Sequence, residues 1–393
     1  MFTGRRNVLL LAASQALTLS AIVMSMALAA MLGSALAPDK GLATLPIAVM
    51  VIGTAVVSLP AGILMRRHGR RAGFLIGAAL GLSGSLLCAL ALRQHAFVLF
   101  VAGHLLLGSY QGFANYYRFA AVEATAPGHA TRAISWVVAG GLVAAFLGPQ
   151  LGQWGRDWIA GEAFVGAYLA QAALSMIALV ALSQLRLAPL AVAHGTDARP
   201  LRQLLAQPAM RVSIVGAAVG YAAMVMVMTA TPLAMLGCGL PASDVTPVIQ
   251  WHVFGMFAPS FVTGALIKRY GAPRIMQTGF VLLLGHITVA LLGGEFLHFL
   301  SALVLLGAGW NFAFIGGTAL LTQTYRPAEQ LKVQAVNEFA IFGLVALATL
   351  SAGWLYDRFG WLALNLAIVP LLLAALLAAV GIEKRLRCAA APT

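Results

Sequence analysis

Sulfur and imidazole side chains recur at helical spacing in two neighbouring apolar segments of the chain. Met224 and Met228 are four residues apart in one segment, and His252 and Met256 are four residues apart in the next. Side chains at this spacing share one face of an α-helix. Thioether and imidazole groups together suit Cu(I), and thioethers bind it without losing a proton. These four residues are therefore the predicted ligands of a copper ion that is held loosely enough to be released.

The same helical face continues along the first of these segments. At 100° per residue, Met228, Met235 and Cys238 fall within about 40° of Met224, whereas Met226 points away. We therefore predict that Met235 and Cys238 lead a metal toward the four ligands. A rise of about 1.5 Å per residue places these ligands near the middle of a membrane-spanning helix, the depth at which transporters bind their substrates.

Two other interpretations of these residues stay open. Methionines at helical spacing are commonly core filler, because the flexible thioether fits irregular gaps. The same side chains could also form an adaptable apolar pocket for an organic molecule. His252 favours a functional site, since an ionisable group inside a membrane needs a partner and marks a candidate functional position.

The composition indicates that the elements carrying these residues lie in a membrane. The chain has 393 residues, of which 61% are hydrophobic and 9% are charged. These are too few polar side chains to cover a water-soluble protein of this length. Cys88, Cys238 and Cys388 do not make a disulfide framework. No segment resembles an ATP-binding loop or a catalytic triad, so an enzyme is not expected.

Twelve apolar stretches are each long enough to cross a hydrocarbon core of about 30 Å as a helix. The predicted spans are 7–33, 42–65, 72–92, 97–119, 133–152, 163–185, 210–236, 245–267, 273–294, 296–322, 333–355 and 361–382. With the N-terminus inside, 20 of the 24 Lys and Arg residues fall on the cytoplasmic side, and the other four are Lys40, Arg93, Arg156 and Arg358. This partition predicts cytoplasmic termini in a bacterial inner membrane. The same partition explains the formal net charge of +13, because the basic residues mark the cytoplasmic side of the lipid bilayer. A nucleic-acid partner is therefore not expected.

A fixed offset relates the two halves of the chain. Gly53 and Gly255 are 202 residues apart, as are Gly62 and Gly264, while span four maps onto span ten with an offset of 199 residues. The sequence therefore predicts an all-α membrane protein of two six-helix bundles that are related by an internal repeat. The predicted domains are residues 1–185 and 210–393, joined by a cytoplasmic linker over 186–209.

The repeat also relates positions in the predicted metal-binding segments to methionines in the first half of the chain. It relates Met226, Met228 and His252 to Met24, Met26 and Met50. These three methionines would form a second thioether set beside the cavity, and coincidence is the other explanation. His104 on span four is a further candidate for the metal path. Gln111 and Trp310 occupy equivalent positions of the repeat and are candidate cavity residues.

The loop between spans two and three resembles the signature loop of the major facilitator superfamily. It contains Gly62, Arg66, Arg67, Gly69, Arg70 and Arg71, and Gly264–Gly271 resembles its second copy. The resemblance implies a secondary transporter with alternating access. The superfamily usually carries Asp at the position of Arg66, so another ion pair is expected to close the cytoplasmic side. Arg118 and Glu338, on helices that close that side in the superfamily, are the predicted gate.

The four predicted ligands also resemble one branch of that superfamily, the CcoA-type copper importers. The segment Asn115–Glu123 resembles the same branch. The resemblance implies import of copper as the substrate, with no tightly bound cofactor, by a monomer. Related members carry riboflavin or other organic solutes. The alternative is therefore a proton-coupled transporter of an organic solute, either a riboflavin-like metabolite or an exported drug.

Overall fold

The computed structural model describes residues 2–39, 42, 44–126, 128–187 and 199–390. Within these residues the chain forms helices and no strand. The helices are α1 (Phe2–Leu36), α2 (Leu45–Arg93), α3 (Phe97–Ala114), α4 (Tyr117–Glu123), α5 (Ala130–Ala139), α6 (Gly141–Trp154), α7 (Val165–Ser183), α8 (Leu201–Ala206), α9 (Pro208–Gly237), α10 (Ala242–Phe257), α11 (Ser260–Tyr270), α12 (Ala272–Leu292), α13 (Phe296–Leu321) and α14 (Gln330–Ala390). The prediction of an all-α membrane fold is confirmed. Lys40 and the linker residues 188–198 lie outside the described residues.

Several helix bounds differ from the predicted spans. In the described residues, nine helical segments are long and apolar enough to cross a membrane, and two of them join neighbouring helices, α3 with α4 and α5 with α6. Helices α2 and α14 each contain two predicted spans, which meet at a kink where Gly69 or Gly360 has non-helical backbone angles. The predicted eighth span, 245–267, is divided into α10 and α11, because Pro259 has no N–H to continue the helical hydrogen bonds. The nine segments therefore cover eleven of the twelve predicted spans, and the eighth span is the exception.

Glycines make the turns in the two copies of the signature loop. Gly69 has φ 85° and ψ 161°, and Gly271, its repeat equivalent, has φ 89° and ψ 150°. Positive φ is accessible to glycine because it lacks a Cβ atom. The two loops therefore turn in the same way, and Gly69 interrupts α2 with a kink just as Gly271 ends α11.

The chain divides into two compact units. Unit 1 comprises residues 1–127, 136–192 and 334–342, and unit 2 comprises residues 128–135, 193–333 and 343–393. The short segment 334–342 belongs to unit 1 because Gln334 and Glu338 bond there to Arg70 and Arg118. The predicted domain limits at residues 185 and 210 stay a prediction.

Glycines also allow close helix crossings at equivalent places in the two units. A Cβ atom on Gly108 of α3 would overlap the carbonyl oxygen of Met50 in α2. A Cβ atom on Gly307 of α13 would lie 2.6 Å from the carbonyl oxygen of His252 in α10. The repeat relates Met50 to His252 and Gly108 to Gly307. Each unit therefore holds its central span against a neighbour by backbone contact at a glycine.

We expect Gly108→Ala to destabilise the protein because its new methyl group meets backbone rather than a movable side chain. Overpacking of this kind costs about 1 to 3 kcal/mol, so the thermal midpoint of detergent-solubilised protein should fall clearly. Gly285→Ala is the matched control, since a Cβ atom at this helical glycine meets no heavy atom within 4 Å. Its midpoint should be unchanged or slightly raised. Equal midpoints for the two variants would contradict the proposed crossing.

Candidate substrate site

The four predicted copper ligands lie on two helices of unit 2. Met224 and Met228 are on α9, and His252 and Met256 are on α10. His252 is fully buried, and Met224 and Met256 are buried, whereas Met228 is partly exposed. The described residues contain no group of three or more His, Cys, Asp and Glu side chains that could hold a metal. Any metal site here would therefore depend on the methionines, and the ligand set stays a prediction.

His252 has one nitrogen engaged and one without a partner. Its Nδ1 lies 2.8 Å from the carbonyl oxygen of Leu303 in α13, so this nitrogen carries the hydrogen and Nε2 carries a lone pair. The Nε2 atom is buried and has no hydrogen-bond partner among the described residues. This is the nitrogen that a ligand or an ion would have to reach.

The residues of the predicted metal path lie in different surroundings. Met235 is fully buried in α9, and Cys238, which follows the end of that helix, is exposed. Met24 and Met50 are buried in a hydrophobic cluster of unit 1, and Met26 packs against its edge. The packing of these three methionines matches that of ordinary core residues.

His104 lies in an aromatic and sulfur environment in unit 1. Its Nδ1 is 2.9 Å from the carbonyl oxygen of Phe100 and 3.6 Å from the Cys88 sulfur. Its ring lies 4.5 Å from the Phe100 ring and 6.2 Å from the Tyr168 ring, measured between centroids. Cys88, Phe100 and Tyr168 belong to the same hydrophobic cluster as Met24 and Met50. The structure thus places His104 beside core residues of α2, α3 and α7.

The two residues of the predicted gate form a buried ion pair. Arg118 Nη2 donates to Glu338 Oε1 at 2.5 Å, and the two side chains are 5% and 0% exposed. Arg118 also donates to the carbonyl oxygen of Asn115, and Asn337 donates to Glu338. Glu338 is the only acidic residue within the twelve predicted spans. Because both side chains are buried, little water is available to solvate one charge if its partner is removed.

The signature loop contributes a second buried cation, Arg70, whose partners the sequence alone did not identify. Arg70 is 2% exposed and donates from Nε to Glu123 at 3.1 Å and from Nη2 to the same carboxylate at 2.5 Å. It also donates to Gln334. Arg66, Arg67 and Arg71 of the same loop are exposed. Glu123 and Gln334 are thus functional candidates that sequence reasoning missed, because only the fold brings them to Arg70.

Aromatic rings from three helices meet in unit 2. Trp310 and Phe314 of α13 stack at 5.1 Å with their planes 14° apart. Tyr221 of α9 lies 5.2 Å from Trp310 and 5.4 Å from Phe314, and Phe257 of α10 lies 5.6 Å from Trp310. The Trp310 Nε1 is buried and has no hydrogen-bond partner in the described part of the chain. We call these four residues the aromatic cluster.

Asn311, beside the aromatic cluster, is fully engaged in holding helices together. Its Nδ2 donates to the carbonyl oxygen of Met256 and to Ser260 Oγ, each at 2.6 Å. Its Oδ1 accepts from Thr263 at 2.8 Å. These bonds fix α10, α11 and α13 relative to one another, so the helices that carry Phe257 and Trp310 are firmly positioned.

Comparisons with known proteins identify the family. Residues 9–258 match the family model of the Major Facilitator Superfamily. The riboflavin transporter RfnT of Brucella anthropi is 41% identical over 373 residues, which cover 94% of this chain and 93% of that protein. The uncharacterised MFS-type transporter YdeG of Bacillus subtilis is 30% identical, over 94% of this chain and 90% of that protein. The chain therefore belongs to the Major Facilitator Superfamily and is a membrane-spanning secondary transporter.

Solved structures agree with this fold. The structure of FucP, a Major Facilitator Superfamily transporter in the outward conformation, matches with a TM-score of 0.79 and 16% identity, covering 95% of this chain and 97% of that one. A bacterial homologue of the iron transporter ferroportin matches with a TM-score of 0.76 and 14% identity, covering 96% of this chain and 99% of that one. At these identities the likeness concerns the fold alone. The resemblance to copper importers gains no support from the relatives, whereas the riboflavin transporter fits the organic-solute alternative.

Proposed function

We propose that this transporter carries riboflavin, or an organic solute with a similar planar ring system, across the bacterial inner membrane. The observation that carries the proposal is the 41% identity to a riboflavin transporter over nearly the whole of both chains. We further propose that both termini are cytoplasmic, because 20 of the 24 Lys and Arg residues then lie on the cytoplasmic side.

The aromatic cluster supports a planar aromatic substrate. Ligand sites are lined mainly by apolar and aromatic side chains with a few well-placed polar groups. Trp310, Phe314, Tyr221 and Phe257 supply the rings, and the unpartnered indole N–H of Trp310 supplies a donor. A flavin ring offers aromatic faces for stacking and carbonyl oxygens that can accept that hydrogen. Aromatic pairs are worth about 0.5 to 1.5 kcal/mol beyond the area that they bury.

Copper is the second candidate, on the basis of His252. The lone pair of its Nε2 is buried without a hydrogen-bond partner among the described residues, as a metal-binding imidazole would be before the ion arrives. Copper therefore enters the test of function as the competing substrate.

The direct test is uptake by a riboflavin-auxotrophic bacterium that lacks its own transporter. Cells that express this chain should grow on low external riboflavin and accumulate labelled riboflavin, while their copper content, measured by mass spectrometry, stays at the level of cells without the gene. Met224→Leu preserves volume and costs less than about 1.5 kcal/mol of stability, so it should leave copper content unchanged as well. A rise in cellular copper that Met224→Leu abolishes, with no riboflavin uptake, would overturn the proposal in favour of copper.

A further inference from the structure

Two amide side chains at the C-terminal end of α3, Gln111 within the helix and Asn115 directly after it, are buried with unpaired hydrogen-bonding atoms. Gln111 and Asn115 are four residues apart and share one side of the helix. They are 8% and 5% exposed, and Gln111 Nε2 donates to Asn115 Oδ1 at 3.2 Å. Gln111 Oε1 and Asn115 Nδ2 are both buried and have no hydrogen-bond partner within the described ranges.

Several other polar side chains of unit 1 are committed to other bonds. Thr54 Oγ1 donates to the carbonyl oxygen of Gly108 at 2.9 Å, and Tyr110 and Thr18 share a hydrogen bond of 2.6 Å. Tyr116 donates to the carbonyl oxygen of Ser58 at 2.6 Å. Since buried polar groups are nearly always paired in folded proteins, the two open amide atoms are exceptions that call for an explanation.

The amide pair lies beside, not within, the crossing of α3 with α2. Gly103, Gly108 and Gly112 are positions at which a Cβ atom would meet the backbone of α2. At 100° per residue, Gln111 lies about 60° from Gly108 and about 100° from Gly112 around the helix. The close approach of α3 to α2 at these glycines does not depend on the amide groups, so it leaves the two open amide atoms unexplained.

The two open atoms are one acceptor and one donor, side by side. An exchange of oxygen and nitrogen in both amides leaves the same combination, because Gln111 would then offer the donor and Asn115 the acceptor. The complementary ligand group also places a donor next to an acceptor. The imide edge of a flavin, in which N3–H lies between two ring carbonyl groups, has this arrangement.

We propose that Gln111 and Asn115 bind the imide edge of the transported flavin, with N3–H donating to one amide oxygen and a ring carbonyl accepting from the other amide's NH₂ group. This inference rests on the proposed function. Side-chain rotation of the kind that is common on binding brings the two amides to the ligand. The amide pair discriminates a flavin from flat aromatic molecules that lack a donor beside an acceptor.

The test compares riboflavin with N3-methylriboflavin, which has the same ring system but no N3–H. Sites that hydrogen-bond a substrate reject analogues that lack the bonding group, because a buried polar atom is then left unpaired. The unmodified transporter should therefore take up riboflavin at least about tenfold better than the methylated analogue. Gln111→Leu and Asn115→Leu should each lower riboflavin uptake toward the level of the analogue and remove most of the discrimination. Gln153→Leu, at an exposed glutamine of α6, should keep it.

The outcomes separate the two proposals. If the unmodified transporter takes up neither compound, the proposed function is wrong. If it takes up both equally well, or if Gln111→Leu retains the full discrimination at normal membrane levels, the transporter carries flavins but the amide pair does not bind the imide edge. The comparison of the two compounds in the unmodified protein tests the imide requirement even if both leucine variants fail to fold.

Discussion

Arg118→Ala should reduce substrate uptake at least about tenfold, although the protein still reaches the membrane. The substitution leaves the fully buried carboxylate of Glu338 without its cation, and loss of one partner of a buried pair typically costs about 3 to 5 kcal/mol. If the pair holds one transport state closed, that state loses this stabilisation, and an equilibrium shift of 1.4 kcal/mol already changes a population ratio about tenfold. Uptake of labelled riboflavin, normalised to the amount of transporter in the membrane, measures the effect.

Charge reversal distinguishes a gate from a merely structural pair. Arg118→Glu alone should abolish uptake, because two carboxylates would face each other, and Arg118→Glu with Glu338→Arg should recover a substantial part of it. Arg93→Ala is the matched control. Arg93 pairs with Glu162 at 3.0 Å but is 60% exposed, and exposed pairs contribute about 0 to 1 kcal/mol. Normal uptake by Arg118→Ala would show that the pair is not a gate.

Trp310→Leu should also lower riboflavin uptake at least about tenfold. The change removes the ring that contacts Tyr221, Phe257 and Phe314 together with the only indole N–H of the aromatic cluster. Stacking of a heterocyclic base on an aromatic side chain is worth about 1 to 3 kcal/mol, and a flavin ring presents a comparable face. The effect should appear mainly as a higher KM, measured from the concentration dependence of uptake.

Two further variants interpret that result. Trp310→Phe keeps an aromatic face against Phe314 but deletes the N–H, so its KM should lie between those of the unmodified protein and Trp310→Leu. Trp354→Leu is the control for loss of a tryptophan, because Trp354 is 62% exposed and is not in the aromatic cluster. If Trp310→Leu folds, as judged by its thermal midpoint, and transports with an unchanged KM, the aromatic cluster is not a substrate site.

The helical fold was predictable because it follows from composition and length. Apolar stretches of membrane-spanning length identify the helices, and the signature loop identified the family before any contact was known. The boundary between spans two and three was predictable because the polar run from Arg66 to Arg71 marks it, and Gly69 interrupts the helix there with φ 85° and ψ 161°. The predicted eighth span was less accurate, since the hydrophobic pattern continues across Pro259, where α10 and α11 meet.

The candidate functional residues were predictable from the sequence only where the residue type is itself unusual in a membrane-spanning helix. Arg118 and Glu338 stand out because charges are costly inside a membrane, and the structure places them in contact. Tyr221, Phe257 and Phe314 carry no such signal, since aromatic residues are common in apolar helices. Only the packing of α9, α10 and α13 brings their rings together with Trp310. The copper prediction relied on methionine spacing, which core packing produces equally well.

The Arg118–Glu338 pair also bears on biosynthesis. Arg118 and the carboxylate that pairs with it in unit 1 are 220 residues apart in the chain. At translation rates of about 5 to 20 residues per second, that carboxylate leaves the ribosome about 10 to 45 s after Arg118. Unit 1 therefore reaches its final set of contacts only when α14 is being made. A ribosome that stalls between these points would leave an inserted unit 1 that lacks the segment 334–342.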